Sequence, residues 1–349
     1  GYNEEVNIVR TITTLKQQDY PNLHIYFVDD GSKDHTLERV HEAFDNDEMV
    51  TVLAKKNGGK ASALNYGIAA CRSEYVICID ADTQLKSDAV SRLMKHFIAD
   101  KEKRVGAVAG NVKVGNQRNM LTYWQAIEYT SSQNFDRMAY SNINAITVVP
   151  GAIGAFRKEV IEEVGGFTTD TLAEDCDLTM SINEHGYIIE NENYAVALTE
   201  APETLRQFVK QRIRWCFGVM QAFWKHRSSL FAPSKKGFGL WAMPNMLIFQ
   251  YIIPTFSPLA DVMMLIGLFT GNALQVFLYY LIFLIIDASV SIMAYIFEGE
   301  RMWVLLWVIP QRFFYRWIMY YVLFKSYLKA IKGELQTWGV LKRTGHVKG

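Results

Sequence analysis

Two carboxylates two residues apart, Asp80 and Asp82, directly follow the apolar run from Tyr75 to Ile79. Carboxylates this close repel each other unless a cation lies between them. Mg²⁺ is often held by one or two carboxylates together with substrate phosphates. An Asp-x-Asp at a strand end therefore suits a metal–diphosphate site, with Asp82 the candidate metal ligand; a pair of solvated acids is the plain alternative. A second pair, Glu174-Asp175, could act as a base on a hydroxyl within hydrogen-bond reach. It could equally be the acidic first turn of a helix, favoured by the helix dipole, and both can hold at once. Further on, Gln211 and Arg214 stand one helical turn apart with Trp215 adjacent. Arg214 could neutralise a leaving diphosphate and Trp215 could stack on a sugar ring. An interfacial helix with a snorkelling arginine and a tryptophan anchor gives the same pattern.

Two weaker signals accompany these. Asp29-Asp30-Gly31-Ser32 ends a β-rich run, and its residue types alone make a turn. In a site, Asp30 could accept hydrogen bonds from a base or ribose, as strand-end acids do elsewhere. Asn57-Gly58-Gly59-Lys60 lacks the Walker spacing, yet its glycines permit close backbone approach, and Lys60 at a helix start can meet an anionic nucleotide. No Gly-x-Gly-x-x-Gly occurs, which argues against a nicotinamide enzyme.

These residues need a scaffold, and the periodicity supplies one. Helical spacing over Asn3–Lys16 and Lys33–Phe44 alternates with β-rich runs at Leu23–Val28, Val50–Ala54 and Tyr75–Ile79, with a helix at Lys60–Cys71. The Tyr75–Ile79 run is almost wholly apolar, which predicts a strand buried on both faces. Alternating strands and helices predict right-handed βαβ units and an α/β fold with a mostly parallel sheet. Ligands bind beyond the carboxyl ends of such strands, where both upstream acidic signatures fall. Strands near Val105–Val112 and Ile146–Phe156, helices at Met120–Met138 and Asp177–His185, and a long amphipathic helix at Pro202–His226 complete the domain. The chain opens at Gly1-Tyr2-Asn3 without the strand that normally begins such a domain, so the expectation is a fragment lacking its first strand.

Charge balances at 36 basic and 36 acidic residues, so no global field attracts nucleic acid. The four cysteines, Cys71, Cys78, Cys176 and Cys216, form no CxxC pair and have no histidines at zinc spacing; they suit a reducing compartment. A near-zero mean hydropathy averages two unlike halves: residues 1–228 read as a soluble domain and residues 229–349 as a membrane region. Trp241–Phe269, Ala273–Phe297 and Met302–Tyr327 are each long enough to cross a bilayer. Asp287, Arg312 and Arg316 lie within them, and intramembrane charges face protein or an aqueous path. The arginines are expected to line a glycan route or reach the headgroups, with an Asp–Arg pair joining two helices as the simpler reading. Lys325 at the end of the last stretch and Lys329, Lys332, Lys342 and Arg343 beyond it favour a cytoplasmic C-terminus and an even number of crossings.

Taken in order, Tyr-Asn-Glu, Asp-Asp-Gly-Ser, Asp-Ala-Asp, Glu-Asp-x-Asp-Leu and Gln-x-x-Arg-Trp resemble the family 2 processive β-glycosyltransferases. That group includes cellulose, hyaluronan, chitin and bacterial poly-N-acetylglucosamine synthases. The resemblance covers residues 1–228 by motif and the tail by architecture. It implies a GT-A fold, a nucleotide-sugar donor, and an inverting transfer that needs Mg²⁺ or Mn²⁺. By position it implies a donor-nucleotide wall of Tyr2, Glu4, Asp30, Lys60 and Asp80, and a metal ligand at Asp82. It likewise implies Asp175 as general base, and Glu174, Gln211, Arg214 and Trp215 as the acceptor and diphosphate clamp. Ala173 stands where the family usually has threonine, which removes a hydroxyl from the acceptor side and bears on substrate identity more than on the base.

The implied protein is a multi-pass enzyme of a bacterial inner membrane with its catalytic domain in the cytoplasm. It would polymerise a sugar from UDP-N-acetylglucosamine into a β-linked exopolysaccharide. Its partners would be a nucleotide-sugar, a growing glycan, membrane lipid and a small membrane accessory subunit. The same motifs allow a single-transfer glycolipid synthase, separable by product length. A catalytically silent export partner is weighed against by the intact Asp30, Asp82 and Asp175.

Overall fold

A computed structural model describes residues 1–332 together with Gly345 and Val347. Strands β1 (Ile25–Asp29) and β2 (Val50–Ala54) pair in parallel, in register from Ile25 opposite Val50 to Asp29 opposite Ala54. Their apolar residues Ile25, Phe27 and Val50 pack on Ile8 and Ile12 of α1 (Ile8–Lys16) and on Val40 and Phe44 of α2 (Thr36–Phe44). That is the alternation expected where one face meets a helix.

A second sheet carries β3 (Tyr75–Cys78), β4 (Gln84–Leu85), β5 (Val105–Val114), β6 (Gly154–Arg157) and β7 (Ile188–Thr199) in the order β3-β6-β5-β7-β4. It is mixed. β5 and β7 run parallel, but β6 is antiparallel to both β3 and β5, and β4 is antiparallel to β7. The α/β class holds, with parallel pairing in β1–β2 and along the long β5–β7 ladder beside shorter antiparallel pairs. The strand expected over Ile146–Phe156 shrinks to four residues, because Pro150 and the turn around it end the ladder before Gly154.

β5 is buried along nearly its whole length. On one face lie Val90, Leu93, Met94 and Phe97 of α4 (Ala89–Ala99); on the other lie Leu178 and Ile182 of α8 (Glu174–Glu184). α3 (Lys60–Ala70) and α7 (Lys158–Glu163) complete this layer. β3 departs from expectation: Tyr75, Val76 and Ile77 are only half-buried. The two sheets do not pair with each other, and Tyr26–Val28 and Tyr75–Ile77 line a cavity between them. Gly1 lies at its mouth, donating to the Val28 carbonyl at 2.7 Å and accepting from the Asp30 amide at 2.9 Å.

α5 (Met120–Glu128) runs through a π-helical turn at Tyr129–Asn134 into α6 (Phe135–Ser141). α9 (Leu205–Lys225) is capped by the Thr204 hydroxyl. Beyond it, π turns at Phe238–Ala242 and Met246–Ile252 flank α10 (Met243–Asn245) and lead into α11 (Ile253–Phe269). α12 (Ala273–Glu298) returns antiparallel to it after a turn at Gly271. The helical stretches Phe238–Phe269 and Ala273–Glu298 are long and apolar enough to cross a membrane. They leave large apolar side chains such as Phe269 and Leu274 exposed, at 88% and 71%. The end of α12 docks on β5, where Lys113 meets Glu298 at 3.1 Å and Glu300 at 2.6 Å.

The third apolar stretch behaves differently. α13 (Val308–Ile331) lies along α9, and its Tyr315 hydroxyl donates to Glu128, which also holds Arg212 at 2.7 Å. Arg312 pairs with Asp287 of α12, and Arg316 with Asp261 of α11 at 3.1 Å. The arginines thus pin helices together, as the simpler reading had it, and neither lines the large cleft. Of the basic residues expected after this stretch, Lys342 and Arg343 lie outside the described residues.

Candidate active site

The carboxyl ends of β1 and β3, the first turn of α8 and one face of α9 surround a cleft of about 1250 Å³. Tyr2, Glu4, Asp30, Lys60, Asp80, Asp82, Glu174, Asp175, Gln211, Arg214 and Trp215 all border it. Every site residue picked from the sequence therefore reaches one cavity, although the motifs span more than two hundred positions.

Asp30 is buried and already engaged. Its Oδ1 accepts from Lys55 Nζ at 2.7 Å and from the Gly58 amide at 3.0 Å, and its Oδ2 accepts from the Gly59 amide at 2.8 Å. In this arrangement it holds the Asn57–Lys60 turn against the strand end, so it shapes the cleft wall. Gly59, at φ +87°, adopts a conformation that L side chains rarely take. The turn launches α3, whose first residue, Lys60, meets Asp80 at 2.7 Å and Glu174 at 3.1 Å. Burial works against the Lys60 charge, but Asp80, Glu174 and Asp175 outweigh it and raise its pKa. Burial and the neighbouring Asp175 charge push the Glu174 carboxyl up against the pull of Lys60. The ammonium thus bridges the strand-end acids and the α8 acids across the cleft.

Asp175 accepts from the Gly151 amide at 3.2 Å through Oδ2 and from the Cys176 amide at 2.8 Å through Oδ1. Two backbone amides fix the carboxylate while its edge still borders the cavity. Gly151 is a residue that sequence reasoning missed. A Cβ there would sit 2.4 Å from Lys60 Nζ and 3.5 Å from Asp175 Oδ2, so the bare backbone makes room for both. Gly218 is another: a Cβ there would meet the Ala173 amide nitrogen at 2.7 Å. Its absence lets α9 lie directly on the loop that feeds Glu174 and Asp175, and Ala173 on that loop is itself buried. Neither glycine carries a motif; only the contact of distant segments reveals them.

Below the site, Asp177 is fully buried and accepts from His226 Nε2 at 3.0 Å, Lys225 at 2.9 Å and the Thr168 hydroxyl at 2.5 Å. His226 Nδ1 meets Glu184 at 2.8 Å. Burial opposes both charges, yet these bonds draw Asp177 down to about 2 and hold His226 up at about 9. This cluster ties the end of α9 to α8. Arg212 faces away from the cleft, against Glu128 and over the Trp215 ring at 4.5 Å. It is a structural neighbour of the Gln-x-x-Arg-Trp face, while Gln211, Arg214 and Trp215 point into the cavity.

Among the described residues no cluster of three metal-ligating side chains occurs. The Asp80–Asp82 pair fits the other mode, in which one or two carboxylates share a hard cation with substrate phosphates. Asp82 is 4% exposed and borders the cleft.

Residues 2–165 match the model for glycosyl transferase family 2. The chain carries a family 2 glycosyltransferase domain. A poly-beta-1,6-N-acetyl-D-glucosamine synthase of Staphylococcus epidermidis is 34% identical over 227 residues, covering 64% of this chain and 55% of the relative. The enzyme of the same name from Staphylococcus aureus strain COL is 33% identical over 217 residues, covering 62% and 52%. The chain thus spans about half the length of the curated relatives it matches. A mannosyltransferase from Pyrobaculum calidifontis, solved with GDP-Man and Mn²⁺, superposes with a TM-score of 0.64 at 23% identity, covering 90% of this chain and 85% of that one. The shared architecture is the GT-A glycosyltransferase fold.

Proposed function

We propose that this protein polymerises N-acetylglucosamine from UDP-N-acetylglucosamine into a β-linked exopolysaccharide. The observation that supports it most is the placement of Asp175. Two amides fix it in the cleft that also holds the Asp80–Lys60 wall and the Gln211–Trp215 face. In this reading residues 1–228 are the catalytic domain and residues 229–349 the membrane region. Tyr2, Glu4, Asp30, Lys60 and Asp80 bind the donor, with Asp30 acting through the turn it holds. Glu174, Gln211, Arg214 and Trp215 hold the acceptor and the diphosphate.

The acceptor hydroxyl loses its proton to Asp175 as its oxygen bonds to the anomeric carbon. The bond from that carbon to the diphosphate oxygen breaks, UDP leaves, and the configuration inverts. Positioned base catalysis of this kind contributes about 10²- to 10⁴-fold. Asp82, with Asp80 beside it, would hold Mg²⁺ or Mn²⁺, which when bound offsets charge on the diphosphate. Lys60 and Arg214 add fixed positive charge facing the same group, placed before the reaction begins.

The apolar hairpin and the return of α12 to Lys113 support two crossings of a bacterial inner membrane, with catalysis on the cytoplasmic face. Membrane lipid and a small accessory subunit are the further partners. Membranes containing the full-length protein, incubated with labelled UDP-N-acetylglucosamine, should release UDP and form a long β-linked product. Transfer of one sugar to a lipid would instead favour the glycolipid-synthase reading, and no turnover of any nucleotide-sugar would overturn both.

A further inference from the structure

Residues 145–150 belong to no helix or strand, so their buried backbone groups need partners from side chains. Asn144 opens the segment by accepting the Ile189 amide at 2.9 Å and donating to the Tyr187 carbonyl at 3.0 Å, which ties it to the start of β7. One stripe of α8 holds the rest. Asp175, Thr179 and Asn183 follow one another there at four-residue intervals and so share a face. Asn183 Nδ2 donates to the Ile146 carbonyl at 2.8 Å, the Thr179 hydroxyl accepts from the Val149 amide at 2.8 Å, and Asp175 Oδ2 accepts from the Gly151 amide at 3.2 Å. Ile146, Val149 and Thr179 are fully buried.

Thr179 is the middle rung, and its hydroxyl is used twice. It donates to the Asp175 carbonyl at 2.6 Å, the bond a helical threonine makes to the preceding turn. That donation fixes the hydroxyl rotor and leaves a lone pair for the Val149 amide. From Val149 the chain passes through Pro150, whose ring fixes φ, directly to Gly151. Of the two amides that hold the Asp175 carboxylate, Cys176 belongs to α8 and Gly151 to this segment. The seat of the segment against the helix therefore decides where the carboxylate points. Gly151 also backs onto Lys60 Nζ, so a shift there disturbs both charged groups.

We infer that Thr179 is a positioning residue whose hydroxyl holds the Val149–Gly151 turn against α8 and so sets the pose of Asp175 in the cleft. Valine has nearly the same shape without the hydroxyl. It would fill the space and leave the buried Val149 amide with no acceptor, a state the segment relieves by moving off the helix. Serine keeps the hydroxyl and both of its bonds. The inference rests on the proposed role of Asp175 as the base, and it deepens that reading by adding a residue that touches no substrate.

The test uses the full-length protein in detergent. Amide exchange over residues 146–151 is read by mass spectrometry with no nucleotide present, and transfer is read separately with UDP-N-acetylglucosamine. In Thr179→Val, exchange of that segment should quicken by at least about tenfold, since the local opening becomes easier. Its kcat should fall by about 10- to 100-fold, the scale of a misplacement of about 1 Å at a reacting centre, with donor KM within about twofold of wild type. Thr179→Ser should restore both the slow exchange and most of kcat, which a loss of packing alone would not predict. If the valine protein shows no thermal transition, Thr179→Ala decides by the same two readings. Exchange at the wild-type rate in the folded variant overturns the inference, and so does quickened exchange with unchanged kcat. A fall in kcat that serine does not rescue overturns it as well. Wild-type protein that turns over no nucleotide-sugar would sink the proposed activity, and the exchange reading then decides by itself whether Thr179 holds the turn that fixes Asp175.

Discussion

On the wall proposed to bind the donor, the Asp30 carboxylate accepts from Lys55, Gly58 and Gly59. On the face proposed to hold the acceptor, Gln211 has a buried side-chain oxygen with no partner among the described residues. The Asp30 carboxylate is engaged by three donors of the chain itself, whereas the Gln211 side-chain oxygen is not engaged by any described residue. On the proposed function the nucleotide diphosphate is the same at every cycle, which suits a preformed wall.

Asp175→Asn should strike hardest. Transfer is expected to fall about 10²- to 10⁴-fold with donor affinity nearly unchanged, measured by product formation beside calorimetric donor titration. Wild-type turnover would make Asp175 a helix-opening acid and no more. Next comes Asp82→Asn, for which the Mn²⁺-dependent part of donor binding should weaken by at least about 10-fold, given that even outer-shell partners cost about 10- to 100-fold in metal affinity. Titrating UDP-sugar with and without Mn²⁺ measures it, and an unaltered metal dependence would place the cation elsewhere.

Gly151→Ala blurs the contrast between the two sides, because the added methyl displaces Lys60, which bridges them. Misplacement of about 1 Å at a reacting centre can cost 10²-fold, and a fall of about 10- to 100-fold in kcat is expected with a small change in melting temperature. A large loss of stability with normal specific activity would contradict it. The smallest effect concerns pH. His226 is raised to about 9, so its stabilisation is fully present below its unfolded value near 6.5 and lost as pH rises through 9. Asp177, lowered to about 2, adds stability above 3.8 that is lost as pH falls through 2. Glu184, Asp170, Lys225 and Thr168 face the pair from the surrounding elements. Melting temperature should therefore decline between pH 7 and 10, and His226→Gln should flatten that decline; an equal slope in both proteins would remove His226 as its source.

The parts of the fold that could be read from sequence were those with strong local period. β2 runs over the expected residues, and α3 and β3 end one residue short of expectation. β7 was missed because Glu190, Asn191, Glu192 and Asn193 interrupt its apolar pattern, although it pairs with β5 along most of its length. The expected helix over Met120–Met138 is continuous but holds a π turn that no periodicity announces. In the site, charged residues in short motifs were legible because carboxylates and arginine are conspicuous in type. Gly151 and Gly218 were not, because their importance comes from what they touch in segments distant along the chain.

The two ion pairs of the apolar hairpin also bear on the order of events in time. Asp261 and Asp287 sit in α11 and α12, whereas their partners Arg316 and Arg312 are both in α13. A ribosome makes the acidic members first, and a charge in a membrane segment costs about 2.5–3.5 kcal/mol on insertion scales. On the proposed two-crossing reading the hairpin is an unfinished insertion until α13, which also lies along α9, emerges. On that reading, seating of the hairpin and placement of α9 beside α13 become one late event in the life of the nascent chain.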